Sequence, residues 1–179
     1  MKIAILSDIH DNLWTLDVAL ASLDDCDEMI CCGDLCSPFV IDELGTGFRR
    51  PIHIVFGNND ADLFRITSKL QKYSNIRLYG ELCEGTFDGK RFAVNHFDYI
   101  ARPIAQSGRY DVICFGHNHE FEIMRYGSTL ALNPGSILGA KFSKGRQDTD
   151  PTFLVYDTAA DEAKGYRVDL AAGRSIAMG

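Results

Sequence analysis

The chain has 179 residues, 46% hydrophobic and 24% charged, with a formal net charge of −7 at neutral pH. A chain of this length buries one sizeable core unaided, so a single domain over 1–179 is expected, and the composition excludes a disordered, repetitive or collagen-like chain. The negative charge, with no local cluster of Lys and Arg, argues against an extended groove along a nucleic-acid backbone and leaves a small phosphorylated substrate open.

In chain order, residues 2–7 read as a buried strand. Its apolar part, Ile3-Ala4-Ile5-Leu6, breaks at Ser7-Asp8, too early for a signal peptide and too short to span a bilayer, so the cytoplasm is the expected compartment, with no membrane partner. Asn12 is placed to cap a helix whose Leu13, Leu16, Leu20 and Leu23 recur at helical spacing, with Trp14 expected to pack beside them. Met29 to Cys32 is a second strand, and Ser37-Pro38 reads as an N-cap followed by proline at the first helical position. His53 to Phe56 is a third strand, with a helix from about Ala61 to Tyr73.

From Leu78 the rhythm changes to short strands joined by tight turns such as Asp88-Gly89 and Tyr126-Gly127-Ser128, a pattern of antiparallel hairpins. A helix near Ile100 to Ser107 is expected to hold Pro103 in its first turn. Strands follow at 111–115, 120–125, 128–132, 152–157 and 164–169, with Lys141 to Pro151 as a long polar loop. Helices outside and two facing sheets inside satisfy these apolar faces, an α/β architecture. The six cysteines lie mostly in apolar runs of a chain that needs no staples and read as buried, reduced thiols.

Chemistry-bearing residues gather at strand ends. Asp8-Ile9-His10 follows the first strand, Gly33-Asp34 the second and Gly57-Asn58-Asn59-Asp60 the third; Asn95-His96 and Gly116-His117-Asn118-His119 follow strands of the second half. In an α/β sheet those ends converge on one edge, where ligands bind. If Asp-x-His and His-x-His lie in extended segments, alternate side chains point one way, toward one ion. A carboxylate must bridge if two cations sit close together, and Asp34, with a glycine before it for a sharp turn, is the candidate. Asn58 adds a neutral oxygen. Mixed nitrogen and oxygen ligands favour a first-row transition metal over magnesium or calcium. Two divalent ions are expected, and the ligand types leave manganese, iron and zinc unranked.

The ordered set D-x-H, GD, GN-x-D, a lone histidine and GH-x-H resembles the calcineurin-like metallophosphoesterases. The length, the GNND form and the Asn133-Pro134-Gly135-Ser136 stretch make it most similar to the small YfcE-type phosphodiesterases. The resemblance spans nearly the whole chain and implies a four-layer α/β/β/α sandwich of two facing mixed sheets. It also implies that Asp8, His10, Asp34 and His119 hold one metal, that Asp34, Asn58, His96 and His117 hold the other, and that a metal-activated hydroxide hydrolyses phosphate esters, diesters above all. Asp34, Asn58, His96 and Asn59 take the catalytic positions of the pattern. Two departures stand out: Asn59 replaces a histidine thought to assist catalysis and cannot act as a general acid, and His96-Phe97-Asp98 stands where His-Gly-His is usual.

Taken singly, these motifs are turn chemistry; the set is what is specific. His53 reads as structural, Asp11 and Asp60 as turn or helix caps, and Asn133 to Ser136 as a turn buttressing the GHNH loop. Arg102, Arg109, Lys141 and Arg146 carry no assignment. The rival function is a protein-interaction scaffold of the same fold, similar to the retromer subunit, which shares a GDLC stretch like Gly33 to Cys36. A homo-oligomer is left open.

Overall fold

A computed structural model describes residues 1–142 and 145–179. The first half builds β1 (Lys2–Leu6), α1 (Leu13–Leu20), β2 (Glu28–Cys31), α2 (Phe39–Gly47), β3 (Ile52–Ile54), α3 (Leu63–Leu70) and β4 (Ile76–Leu78). The second half adds β5 (Leu82–Phe87), β6 (Lys90–Asn95), α4 (Asp98–Gln106), β7 (Val112–Cys114), β8 (Phe121–Tyr126) and β9 (Thr129–Pro134). A short ribbon of β10 (Ala140–Lys141) and β11 (Gln147–Asp148) precedes the closing meander of β12 (Thr152–Asp157), β13 (Glu162–Asp169) and β14 (Arg174–Ala177).

The strands form one sheet of seven, ordered β14-β13-β12-β1-β2-β3-β4, and one of five, ordered β5-β6-β7-β9-β8. Both are mixed: β1 to β4 run parallel while β12 joins β1 antiparallel, and β7 lies parallel to both β6 and β9 between two hairpins. Strand alternation sorts β1 between two cores, with Ile3 and Ile5 packed between the sheets and Ala4 and Leu6 packed with Leu16, Val40, Ile41 and Ile66 of the first three helices. Across the second sheet, Ala93, Ile113 and Ala131 meet Ala101 and Ala105 of α4. Four layers result, helices outside and sheets inside, as the resemblance implies.

Several local expectations change. Strands β4, parallel to β3, and β14, antiparallel to β13, are additional to those expected, and the parallel setting of β7 departs from a second half of antiparallel hairpins. Helix α3 is shorter than 61–73, because Asp62 caps it by accepting from the Arg65 N–H. Ser37 does not cap α2; its hydroxyl and N–H both donate to Asp11, which therefore ties two loops together while Asn12 caps α1. Helix α4 starts two residues earlier than expected, placing Pro103 beyond the first turn, where its ring faces solvent. The segment 141–151 carries the ribbon strands, although its residues 143 and 144 lie outside the described ones. Trp14 is 76% exposed rather than packed, and its leucine neighbours bury without it. Cys36 is half-buried and the other five cysteines are buried, all free thiols. Among the described residues, no helix is long and apolar enough to cross a membrane.

Candidate metal centre

The five motifs converge where the strands end. Asp8 and His10 follow β1, Asp34 follows β2, Asn58 follows β3, His96 follows β6, and His117 and His119 follow β7. The expected extended geometry is overturned: Asp8, His10, Asp34, His117 and His119 all have positive φ, between 46° and 73°. Side chains are aimed by left-handed turns, a costly conformation for residues with a Cβ, of order 1 kcal/mol or more each, and one that clusters at functional sites. Asp and His tolerate it better than most side chains, so the ligand chemistry and the turn chemistry coincide.

Asp34 stands in the middle. Its Oδ2 lies 3.4 Å from Nε2 of His10 on one side and 3.4 Å from Nε2 of His96 on the other. On the first side, His10 Nε2 faces His119 Nε2 at 3.2 Å, with Asp8 Oδ1 3.1 Å from His119 and 3.7 Å from His10. On the second, Asn58 Oδ1 sits 3.1 Å from His96 Nε2 and 2.9 Å from His117 Nδ1. Two groups, Asp8-His10-His119 and Asp8-Asp34-His96, are compact enough to hold a metal ion. Asp8 Oδ1 is buried without a directed hydrogen bond, and two imidazole nitrogens face one another across the same space. A cation satisfies both, so the donor set fits one.

The far ring nitrogens are held by second partners. His96 Nδ1 meets the Cys32 carbonyl at 2.8 Å and His119 Nδ1 meets the Ala140 carbonyl, so donation to backbone leaves Nε2 of each with its lone pair turned inward. His10 Nδ1 faces the Cys36 sulfur at 3.4 Å. Asn59 donates to Asp34 twice, from its N–H and its amide, both at 2.8 Å. Position 59 therefore orients the central carboxylate.

Asp60 is no cap. Its two oxygens accept backbone N–H bonds from Asp34, Leu35, Cys36 and Gly57 at 2.7–3.1 Å, clamping the loop after β2 to the loop after β3. Nothing in the sequence distinguishes it from an ordinary turn residue except its place in GNND. The buttressing turn is as expected: Asn133 donates to the Gly116 carbonyl and to Asn118 Oδ1, and Ser136 Oγ donates to the Asp8 carbonyl. Close approach explains the glycines. A Cβ on Gly57 would lie 2.2 Å from Asp34 Oδ1, and one on Gly116 would lie 1.9 Å from Ser7 Oγ. Gly33, at φ 99°, makes the turn that delivers Asp34.

The charges support one another. Burial raises the Asp8 carboxyl, but the adjacent His10 and His119 imidazoles and the charge of His96 win and hold it below the usual carboxylate range. Asp34 is likewise lowered, with His96 and Asn59 overcoming burial. Burial depresses His96 and His119, yet Asp34 raises the first and Asp8 the second above the ordinary imidazole value. His53 lies apart, bonded to Tyr79 and Glu28 in the sheet, as the structural reading has it.

Comparisons with known proteins bear on the family and the fold. The phosphodiesterase MJ0936 of Methanocaldococcus jannaschii is 30% identical over 171 residues, 93% of this chain and 97% of that protein. A solved archaeal phosphodiesterase matches with TM-score 0.81 and 27% identity, covering 99% of this chain and 100% of that one. Vacuolar protein sorting 29 of Cryptosporidium parvum matches with TM-score 0.70 at 19% identity, covering 99% of this chain and 95% of that one, which shows the shared fold. The model of the calcineurin-like phosphoesterase superfamily domain matches residues 1–161, and the chain belongs to that superfamily.

Proposed function

We propose that this chain is a phosphodiesterase whose Asp8, His10, Asp34, Asn58, His96, His117 and His119 hold two divalent transition-metal ions, manganese first, and that its substrate is a small phosphate diester. The observation that carries the reading is Asp34 Oδ2, equidistant from His10 Nε2 and His96 Nε2, which is where a bridging carboxylate belongs. When bound, such ions polarise a phosphoryl oxygen and lower the pKa of water from 15.7 toward about 7. The chain's own residues do the rest. His96 and His119, each held from behind at Nδ1, keep Nε2 turned into the centre. Asn59 fixes the rotamer of Asp34, and Asp60 fixes the loop that carries it. Asn58 closes the open side with a neutral oxygen.

No proton donor stands at position 59, so a leaving group that departs as a stable anion is favoured over an alkoxide. A nitrophenyl diester should therefore react much faster than an alkyl diester; equal rates contradict the absence of an acid. The decisive test is hydrolysis of bis-p-nitrophenyl phosphate by metal-stripped protein resupplied with manganese, nickel, zinc or magnesium, beside Asp34→Asn. Turnover that depends on metal and is lost in Asp34→Asn supports the proposal. Silence from folded, metal-binding protein with every metal refutes it in favour of the scaffold.

A further inference from the structure

Beside the centre lies a cleft of about 540 Å³ whose wall includes His117 and His119. Two aromatic rings flank these histidines without being buried. Tyr99, at the start of α4, is 61% exposed, its ring centroid 5.9 Å from that of His117 and 5.3 Å from that of Phe97. Phe142, after β10, is 56% exposed and lines the cleft, its centroid 6.0 Å from that of His119 in an edge-on arrangement. Phe97 completes the array at 5.1 Å from His117. Single exposed aromatics are ordinary; here one ring lines the cleft beside His119 and another stands against His117, so each outer histidine of the centre has an apolar face next to it.

The charges of the wall narrow what those faces meet. The Arg102 guanidinium is gripped by both oxygens of Glu122 at 2.8 and 2.7 Å, and Lys141 reaches Glu120 at 3.4 Å. Asp98 adds a further carboxylate to the lining. Among the described residues, the cations of this wall are matched by carboxylates, which disfavours an additional phosphate or carboxylate on the substrate and leaves an uncharged group as the fitting occupant.

Resting on the phosphodiesterase reading above, we propose that Tyr99 and Phe142 form a specificity subsite for an uncharged, planar aromatic group esterified to the phosphate, as in an aryl or nucleoside diester. Stacking of a base on an aromatic side chain corresponds to about a fivefold effect at its weakest.

The test is titration calorimetry of diphenyl phosphate and of dicyclohexyl phosphate, which share ring carbon count and charge but differ in planarity, with and without manganese. Wild-type protein should bind diphenyl phosphate at least about fivefold more tightly. That ratio should fall toward one in Tyr99→Ala and in Phe142→Ala, and persist in Tyr99→Phe, which keeps the ring. Equal binding of the two probes, no binding of either, or a ratio untouched by both alanine variants overturns the proposal. Neither probe carries an activated leaving group, so turnover of bis-p-nitrophenyl phosphate in parallel judges the hydrolase reading separately.

Discussion

Asp8, His10 and His119 sit on loops fixed from several directions, whereas Asn58 and His117 close the other side with less behind them. Asp8 is fully buried, receives the His117 N–H and is anchored through its own carbonyl by Ser136; His119 is held by Ala140 and His10 rests on Cys36. On the other side His96 is buried and fixed, but Asn58 is exposed and its oxygen contacts the two histidines alone among the described hydrogen bonds. The difference teaches that preorganisation is uneven: the first half is held by the fold at every member, and the second is held at His96 while Asn58 stands exposed.

His119→Ala should have the largest effect, because it opens the preorganised half and frees Asp8. Metal affinity and turnover should fall beyond the roughly 100-fold typical of losing an outer-shell partner, measured by calorimetry and by nitrophenol release. Asn58→Ala, which removes a neutral oxygen from the exposed side, should cost less than His119→Ala and act on one ion alone, so that metal stoichiometry drops from two to one. Equal losses in the two variants break the comparison. Asp60→Asn replaces one acceptor oxygen with an amide that cannot accept two of its four N–H bonds, and should lower stability by about 2 kcal/mol while weakening metal binding in both halves; a loss confined to one half contradicts its role as the clamp between loops.

The smallest effect belongs far from the centre. Asp161, in the turn after β12, accepts from Tyr156, Lys90 and Arg125 at 2.7, 3.0 and 2.7 Å and so joins the two sheets. The Tyr156 hydroxyl and then the Lys90 and Arg125 hydrogen bonds hold its carboxyl below the usual range. A depressed carboxylate contributes stability above its unfolded pKa of about 3.9 and loses it as pH falls toward the folded value. Asp161→Asn should therefore cost about 1 kcal/mol near neutrality, discounted for exposure, and the gap from wild type should shrink below about pH 4. Denaturant melts at pH 7 and pH 3 check it; a constant gap contradicts the charge assignment.

How far the sequence reveals these features depends on which interactions set them. Short apolar runs bounded by turn residues locate most strands, and helical spacing locates α1, because these patterns are local. The candidate centre is legible as five motifs at strand ends, since residue type and order survive without coordinates. What escapes is set by tertiary contact. The expected extended aim of Asp8 and His10 fails because left-handed turns leave no mark on residues that also occupy ordinary conformations. Asp60 is missed because its four donors come from two loops. Trp14 misleads because its helical position says nothing of which face finds a partner, and β4 because Ile76–Leu78 is a strand by virtue of pairing with β3.

The central claim, that Asp34 bridges two ions, is tested most directly by titrating manganese into metal-stripped protein and recording its electron paramagnetic resonance. The account predicts two ions per chain with an exchange-coupled signal that Asp34→Asn abolishes. One ion per chain, or two that are magnetically isolated in the wild-type protein, would contradict it.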